Sequence, residues 1–466
     1  MSEEVRQPSF FLALATFLCI VSILVIGIFI LKVDMHVLLI LGLIVTAVMA
    51  KVVGYKWKEI EAAMGKGVFK AMIGMFIFIL IGMIIGSWIE AGTVPALIYY
   101  GLELLSPKWF LPAGLLICSI TSLATGTSWG TAGTVGLALM GIGVGMGIPA
   151  PVIAGMILSG AYFGDKMSPV SDTTNLASLS AEARLYDHIG AMMYTAVPSY
   201  IIALILYTLL GFRYAGGALD TKQIATIQDT IAGEFQISVW VLLPAIILLT
   251  LSIMRVPAIP SMIAGVLAAS VVSIIIQGSS ITEVLNAINY GYTSETGVLA
   301  VDELLNRGGI QRMMWTFSMA FIALALGGAL DELHFLEVLV EKITKRIKRA
   351  ASLVTVTIIS GVVANLALST AYLSIILNGK LYLKAFEKKG MQHRMLSRCL
   401  EEGATLTTGL IPWNMAGAFM AGALGVSTFE YAPYAFLNLI NPIVSIVLSY
   451  FGIFILWTKN AKNGQI

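Results

Sequence analysis

The sequence contains little charge for its length. Only 12% of its 466 residues are Asp, Glu, Lys or Arg, whereas 58% are hydrophobic. This polar fraction is too small to cover a soluble domain of that size. Apolar runs close to the ~20 residues that cross a bilayer recur along the chain, beginning with residues 9–31, 36–53 and 68–89. We therefore predict an all-α polytopic membrane protein.

Cysteine is also scarce, and no nucleotide-binding loop can be found. The three cysteines, Cys19, Cys118 and Cys399, lie in apolar surroundings and are odd in number, which argues against a disulfide framework and a metal site. The net charge of +2 gives no reason to expect nucleic acid as a partner, and the basic residues sit beside apolar runs, where they contact membrane lipid. We expect no enzymatic activity, no cofactor, and energy supplied by an ion gradient.

The two halves of the chain resemble each other. A shift of 242 residues places four residues of the first half on identical residues of the second without a gap: Gly67, Met72, Gly86 and Glu90 on Gly309, Met314, Gly328 and Glu332. The charges of matching loops are reversed, because Lys and Arg crowd residues 51–70 in the first half but residues 342–349 and 384–398 in the second. Lys and Arg mark the cytoplasmic side, so the halves are predicted to have opposite orientations. A chance match of few identities is the alternative.

Inverted repeats are typical of carriers that work by alternating access. We predict a first inverted repeat at residues 1–212, a linker at 213–235, a second repeat at 236–457 and a cytoplasmic tail at 458–466. The repeats together supply about 10 transmembrane helices, with broken helices at the site. Each also has a re-entrant hairpin, at residues 109–147 and 350–385, which returns to the face it came from and so leaves both termini in the cytoplasm. Two ordinary spans in place of a hairpin are the alternative.

The predicted hairpin tips are rich in hydroxyl, amide and aromatic side chains, namely Thr127, Ser128 and Trp129 in the first and Asn365, Ser369 and Thr370 in the second. Non-helical backbone at membrane depth is tolerated only where it is buried in protein or lines a watery cavity, so we expect both tips at the site. Amides at half-helix starts can hold an anion, and carbonyls at half-helix ends can hold Na⁺. We assign these residues to substrate binding. A Ser/Thr/Gly seam that packs helices together is the alternative.

Polar residues also break the next span of each half. The first break carries Asp165, Lys166, Ser168, Ser171, Asp172, Thr173, Thr174 and Asn175, and the second carries Thr407, Thr408, Trp413 and Asn414. An ionisable group in a span costs at least ~2.5 kcal/mol, so two carboxylates there indicate a function. A carboxylate that binds Na⁺ can bind H⁺ instead. We predict ion binding or proton coupling by the acidic, hydroxyl and amide residues of the first break, and substrate binding by Lys166 and the second break.

The sodium ligands are predicted to be Asp172, Thr127 and Ser128. An ion pair of Lys166 with Asp165 or Asp172 that serves the structure alone is the alternative. No Arg lies at either break, so Lys166 is the only cation expected near the site. Farther on, Glu401 and Glu402 follow Arg398 at the mouth of a span, where we expect a solvated ion pair.

Two stretches carry a family resemblance: GTSWGTAGT at residues 126–134 and GDKMSPVSDTTNLA at residues 164–177. They resemble the signature of the NhaC family of Na⁺/H⁺ antiporters within the ion transporter superfamily. The resemblance implies a secondary active antiporter of the cytoplasmic membrane that exchanges Na⁺ for H⁺, with a scaffold domain and a mobile domain that carries the hairpins. The second half has no carboxylate matching Asp172, so the Na⁺ arrangement should be asymmetric.

The resemblance leaves the transported substrate open. The family also includes antiporters that exchange malate and H⁺ for lactate and Na⁺, and no residue of this chain separates the two subtypes. An ion channel, in which the broken helices line a continuous pore, is the alternative of another class. A monomer and a homodimer are both compatible with the sequence.

Overall fold

The computed structural model describes residues 6–215, 221–344 and 349–458, and these residues are almost entirely helical. The helices of the first half and the linker are α1 (Phe10–Val25), α2 (Met35–Val53), α3 (Trp57–Lys70), α4 (Met72–Glu90), α5 (Thr93–Leu104), α6 (Pro107–Thr125), α7 (Ser128–Thr131), α8 (Leu137–Gly145), α9 (Ala150–Met167), α10 (Asp172–Ser180), α11 (Leu185–Ala215) and α12 (Thr221–Glu234).

The helices of the second half are α13 (Leu243–Ile253), α14 (Ala258–Val272), α15 (Ile281–Tyr290), α16 (Leu299–Leu305), α17 (Ile310–Glu332), α18 (Phe335–Thr344), α19 (Ala350–Leu368), α20 (Ala371–Lys388), α21 (His393–Leu400), α22 (Leu406–Thr408), α23 (Met415–Leu424), α24 (Thr428–Tyr431) and α25 (Phe436–Tyr450). Four π-helical segments continue or join these helices, at Ile26–Leu31, Ala132–Gly136, Ser273–Gln277 and Glu401–Thr405. The predicted tail beyond residue 458 lies outside the described residues.

Eight helices within the described ranges are long and apolar enough to cross a membrane, or up to ten if each of two sharply bent helix pairs is one span. The bent pairs turn by 92° between α12 and α13 and by 56° between α24 and α25. The predicted class, an all-α polytopic membrane protein, is confirmed. Two of the eight helices, α6 and α19, are the first arms of the predicted hairpins.

Both predicted hairpins consist of two antiparallel helical arms that pack against each other, and the second arm of the first hairpin is formed by α7, the π-helical segment Ala132–Gly136 and α8. In the first, the Phe110 ring of α6 lies over Gly143 of α8, and Leu139 lies over Gly114. In the second, Ser360 of α19 donates to Asn378 Oδ1 of α20 at 2.5 Å. In each hairpin the contacting residues lie at similar distances along the chain from the tip, so each chain segment turns back at its tip.

Helix ends at the hairpins and breaks match with a shift of 243 residues, one more than the sequence identities suggest. Gly126 and Ser369 each end the first arm in a left-handed conformation, with φ of +70° and +58°. The next residues, Thr127 and Thr370, are both extended and begin the second arm. Tip residues therefore correspond as Thr127 to Thr370.

The contact between each hairpin and the following helix is also repeated. Ser122 of α6 donates to the Ala161 carbonyl of α9 at 2.6 Å, and Asn365 of α19 donates to the Ala404 carbonyl at 2.5 Å. Gly160 faces the α6 backbone, and Gly403 faces the α19 backbone, each so closely that a Cβ would lie 2.7 or 2.4 Å from a carbonyl oxygen. The hairpin arms are held at equivalent places in both halves. Their inverted orientation in a membrane stays a prediction.

The predicted linker is not merely an extended connection. It contains α12, whose Ile227 and Ile231 are buried. Gln228 of α12 donates to the Tyr99 carbonyl of α5 at 3.2 Å. The linker therefore packs against the helix that precedes the first hairpin.

Candidate functional site

One cavity of about 1010 Å³ is shared by both hairpin tips and both helix breaks. Ten of the predicted site residues line it: Thr127, Ser128, Trp129, Asp165, Ser171, Asp172, Thr173, Thr370, Thr408 and Asn414. These residues come from four separate parts of the chain. The tertiary structure therefore assembles a single site from segments that the sequence presents apart.

The first tip is a tight turn held against the first break. α6 ends at Gly126, and a Cβ at this position would lie 2.5 Å from the side chain of Val170 in the break. Thr127 then begins α7, with its hydroxyl accepting from the Gly130 backbone N–H at 3.2 Å. The start of a helix therefore faces the cavity, and the helix dipole favours negative charge there.

Asp165 is bound to this tip. Its Oδ2 accepts from the Ser128 backbone N–H at 3.2 Å and from the Ser128 hydroxyl at 2.7 Å. The side chain is 7% exposed, so these donors replace most of its contact with water. No ion pair links it to Lys166 among the described residues. The first carboxylate therefore joins the hairpin tip to the broken helix instead of neutralising its neighbouring lysine.

Asp172 is placed differently. It is the first residue of α10, its side chain is exposed to the cavity, and the described residues offer its carboxylate no hydrogen bond. The helix N-terminus favours its negative charge. A carboxylate with free oxygens at the wall of a cavity is available to a bound cation.

Several predicted ion-binding residues form hydrogen bonds that stabilise the first break. Ser168 donates to the Leu123 carbonyl at 2.9 Å, and the Asn175 amide donates to the carbonyls of Pro169 at 3.0 Å and Ser171 at 2.8 Å. The Thr174 hydroxyl donates to the Asp165 and Lys166 carbonyls, at 3.3 and 3.2 Å. Ser168, Thr174 and Asn175 lie outside the cavity lining, whereas Ser171 and Thr173, whose hydroxyls are 3.2 Å apart, face it.

The second tip and break are joined by amide side chains. The Asn365 amide donates to the Thr407 hydroxyl at 2.9 Å, and the Asn414 amide donates to the Asn365 carbonyl at 3.2 Å. The Ser369 carbonyl accepts from the Met415 backbone N–H at 2.8 Å. Asn365, Ser369 and Thr407 therefore hold the second hairpin against the broken helix. Of the site residues predicted in the second half, Thr370, Thr408 and Asn414 reach the cavity.

The two tryptophans have separate places. Trp129 lines the cavity and stacks on Phe419, with ring centroids 4.4 Å apart. Trp413 lies outside the lining and donates to the Leu366 carbonyl at 2.8 Å. Of the two, Trp129 is therefore the one placed to contact a molecule in the cavity.

The basic residues of the site differ from those expected. Lys166 lies outside the cavity lining, and its ammonium donates to Asn441 Oδ1 at 2.9 Å. Lys70 and Arg255 line the cavity instead, so the expectation that Lys166 is the only nearby cation is wrong. Both come from elements outside the hairpins and breaks, α3 and the α13–α14 loop, and only packing brings them to the site.

The expected solvated ion pair at Glu401 and Glu402 is also wrong, because both side chains are fully buried. Glu402 Oε1 accepts from the Thr195 hydroxyl at 2.5 Å and lies 3.7 Å from Arg398 Nε. The basic residues that precede these two glutamates suggested a membrane surface. The sequence nevertheless indicated that these two glutamates lie near the site, because they precede the apolar and hydroxyl run of the second break by only a few residues.

The family model and three relatives that match this chain are named as antiporters. The model of the Na⁺/H⁺ antiporter family matches residues 160–453. The chain is 40% identical over 407 residues to the Malate-2H(+)/Na(+)-lactate antiporter of Bacillus subtilis, with 87% of each chain covered. It is 37% identical over 433 residues to the Na(+)/H(+) antiporter NhaC of Alkalihalophilus pseudofirmus, with 93% of each covered. It is 38% identical over 463 residues to the Arginine/ornithine antiporter ArcD of Halobacterium salinarum, covering 99% of this chain and 95% of the relative.

Proposed function

The chain belongs to the Na⁺/H⁺ antiporter family, and we propose that it is a secondary active antiporter that exchanges Na⁺ for H⁺ across the cytoplasmic membrane by alternating access. One observation carries this proposal: two hairpin tips and two broken helices meet at a single cavity that contains two carboxylates, Asp165 and Asp172. Ionisable side chains at membrane depth mark ion and proton pathways. A site built from half-helices at the interface of two repeats is the arrangement found in alternating-access carriers.

We assign Na⁺ to Asp172, Thr127 and Ser128. All three line the cavity, and together they offer a free carboxylate and two hydroxyl oxygens, the hard ligands that such cations favour. Asp165 is hydrogen-bonded to Ser128, so a change in its protonation would be felt directly by a sodium ligand. This contact gives a physical means of coupling H⁺ to Na⁺.

A Na⁺-coupled carboxylate antiport, with malate and H⁺ entering and lactate and Na⁺ leaving, is the second candidate. The cavity volume of about 1010 Å³ is far larger than a metal ion requires and lies at the upper end of the ~300–1,000 Å³ typical of organic ligands. The Thr370 hydroxyl and the Arg255 guanidinium, both at the cavity wall, could hold a carboxylate, whereas the hydroxyl and backbone N–H of Ser128 already donate to Asp165. One relative is named for malate and lactate and another for arginine and ornithine.

Exchange in proteoliposomes tests the main proposal. An outward Na⁺ gradient should acidify the lumen, because each Na⁺ that leaves is exchanged for entering H⁺, and the rate should saturate with Na⁺ concentration. A flux that stays linear in Na⁺ and needs no counter-ion would instead indicate a channel. Liposomes without protein serve as the control for leakage.

Thermal unfolding with added ligands separates the two antiport candidates. We expect stabilisation by Na⁺ in either case, because a ligand that binds only the folded state raises its stability. Stabilisation by malate or lactate that disappears when Na⁺ is withdrawn would favour the carboxylate antiporter. Arginine, tested in parallel, covers the amino-acid substrate class.

A further inference from the structure

Four charged side chains lie buried together behind the cavity without lining it. They are Lys166 at the end of α9, Arg398 at the end of α21, and Glu401 and Glu402 at the start of a π-helical segment, and each is at most 1% exposed. Charged groups at membrane depth are costly and are retained mainly for function. The sodium-site assignment above uses none of the four.

Three members of this cluster have polar partners. Lys166 donates to Asn441, Glu402 accepts from Thr195, and Arg398 donates to the Phe454 carbonyl at 3.1 Å. Glu401 differs, because both of its carboxyl oxygens are buried without a hydrogen bond. Within the described residues no Lys or Arg lies within ion-pair distance of it. An ionised carboxylate in such a place carries a large desolvation cost, which protonation removes.

Glu401 is also close to the cavity. Its carboxyl lies beside the hydroxyls of Thr405 and Thr173, both of which line the cavity. The Thr405 hydroxyl is itself buried without a partner. Glu401 begins the π-helical segment Glu401–Thr405, and π segments occur frequently at functional sites. The Thr405 and Thr173 side chains therefore lie between the Glu401 carboxyl and the cavity.

We propose that Glu401 binds and releases a proton during transport. The proton comes from cavity water, reaches a Glu401 carboxyl oxygen by way of the Thr405 or Thr173 hydroxyl, and returns to water when the site faces the other side. This inference rests on the proposed function and adds a proton site that is separate from the sodium ligands. Lys166, whose charge acts on Glu401, offsets the negative charge while the proton is absent.

Other titratable groups around Glu401 affect when it releases its proton. The charged and titratable groups that face it or its cluster are Tyr162, Asp165 and Lys166 from α9, Arg398 and Cys399 from α21, Glu402 beside it, and His188 from α11. Asp165 opposes the charge of Glu401, whereas Lys166 favours it.

The Glu401→Gln variant tests the proposal in proteoliposomes. Glutamine keeps the shape of the protonated acid, so we expect the protein to fold and to retain its thermal stabilisation by Na⁺. We expect a lower H⁺:Na⁺ ratio than in the wild type and a flatter pH dependence of Na⁺ exchange. Glu295→Gln, at an exposed loop position, is the matched control. A wild-type ratio and pH profile in Glu401→Gln would overturn the proposal while leaving the proposed function intact.

Carbodiimide labelling of the unmodified protein gives a second, independent test. Carbodiimides react with protonated carboxyl groups, and an apolar reagent reaches buried ones. Labelling mapped by mass spectrometry to Glu401, decreasing as the pH rises, is the expected result. Absence of label at Glu401, or labelling that does not change with pH, would count against the proposal even if Glu401→Gln failed to fold or the wild type showed no Na⁺/H⁺ exchange.

Discussion

At the scale of single residues, Asp165 and Asp172 show how differently two carboxylates of one helix break can be used. One carboxylate oxygen of Asp165 accepts hydrogen bonds from the backbone N–H and the hydroxyl of Ser128, whereas both oxygens of Asp172 are free at the cavity wall. A free carboxylate can bind a cation without first losing a hydrogen bond. Asp172 is therefore the better candidate for direct contact with Na⁺.

The Asp172→Asn variant should lose most Na⁺-dependent transport while remaining folded. Removing a charged contact of ~1.5–3 kcal/mol should raise the half-saturating Na⁺ concentration about tenfold to a hundredfold. Uptake of ²²Na⁺ into proteoliposomes measures this change. Asp187→Asn, at an exposed helix start, is the control, and wild-type uptake in Asp172→Asn would refute the sodium assignment.

Asp302, outside the membrane-spanning helices, is an acid whose role is structural. Its Oδ1 accepts from the Ser294 hydroxyl at 2.7 Å, the Thr296 backbone N–H at 2.9 Å and the Thr296 hydroxyl at 2.8 Å. The hydrogen bond from Ser294, followed by those from Thr296, lowers the pKa of Asp302 below its usual 3.8. The ionised form therefore holds the loop that precedes α16.

Asp302→Asn should lower the thermal unfolding midpoint near neutral pH. Because the folded-state pKa is lowered, the stabilisation by Asp302 is present above its ordinary pKa and is lost as the pH falls through the lowered value. The difference between wild type and variant should consequently shrink in acid. Unfolding followed in detergent across this pH range measures it, with Glu295→Gln as the control. An equal difference at every pH would contradict the expectation.

At the scale of elements, α3 packs on α17 most closely at Gly67, where there is no space for a side chain. A Cβ on Gly67 would lie 2.3 Å from the Leu324 carbonyl oxygen and 2.6 Å from the Gly328 Cα. Gly65, on the same helix, has open space around its own Cβ position. Alanine substitutions at these two glycines therefore distinguish the effect of helix propensity from the effect of packing.

Gly67→Ala should destabilise the protein and Gly65→Ala should not. Overpacking the α3–α17 contact should lower the free energy of unfolding by ~1–3 kcal/mol, whereas alanine at Gly65 should raise it by up to ~1 kcal/mol through helix propensity. Thermal unfolding of both variants in the same detergent compares them. Similar midpoints for the two variants would show that α3 can move away from α17.

At the scale of the whole molecule, the two halves share the hairpin, the break and the hydrogen bond that joins them. We propose that they are inverted in the membrane, with residues 1–212 and 236–457 as the repeats and both termini in the cytoplasm. The reversed charge of matching loops supports this arrangement. Ser106 and Arg349 precede the two hairpins at equivalent positions, and both are exposed and extended.

Single cysteines at Ser106 and Arg349 should therefore label from opposite sides, Ser106→Cys from outside and Arg349→Cys from the cytoplasm. Intact cells treated with a membrane-impermeant maleimide, before and after permeabilisation, provide the measurement. Cys19 is exposed and is first replaced by alanine, whereas Cys118 and Cys399 are buried and can remain. Labelling of both positions from one side would exclude the inverted repeat.

The sequence by itself determined the class of the protein and the places where its helices break. Hydropathy averaged over a span does not depend on neighbouring helices, and the Gly, Pro and hydroxyl residues that end a helix act through local backbone geometry. Gly126, the break after Met167 and the break before Met415 were all predictable for this reason. Family membership followed from the same stretches.

Only the tertiary structure decided which polar residue faces the cavity. Each residue turns the helix by about 100°, so neighbours in one motif point in different directions, and packing selects among them. Asp172 and Thr127 reach the cavity, whereas Ser168, Thr174 and Asn365 form hydrogen bonds that hold the breaks and hairpins together. The burial of Glu401 and the approach of Arg255 to the cavity likewise depend on contacts between distant segments, which no local pattern records.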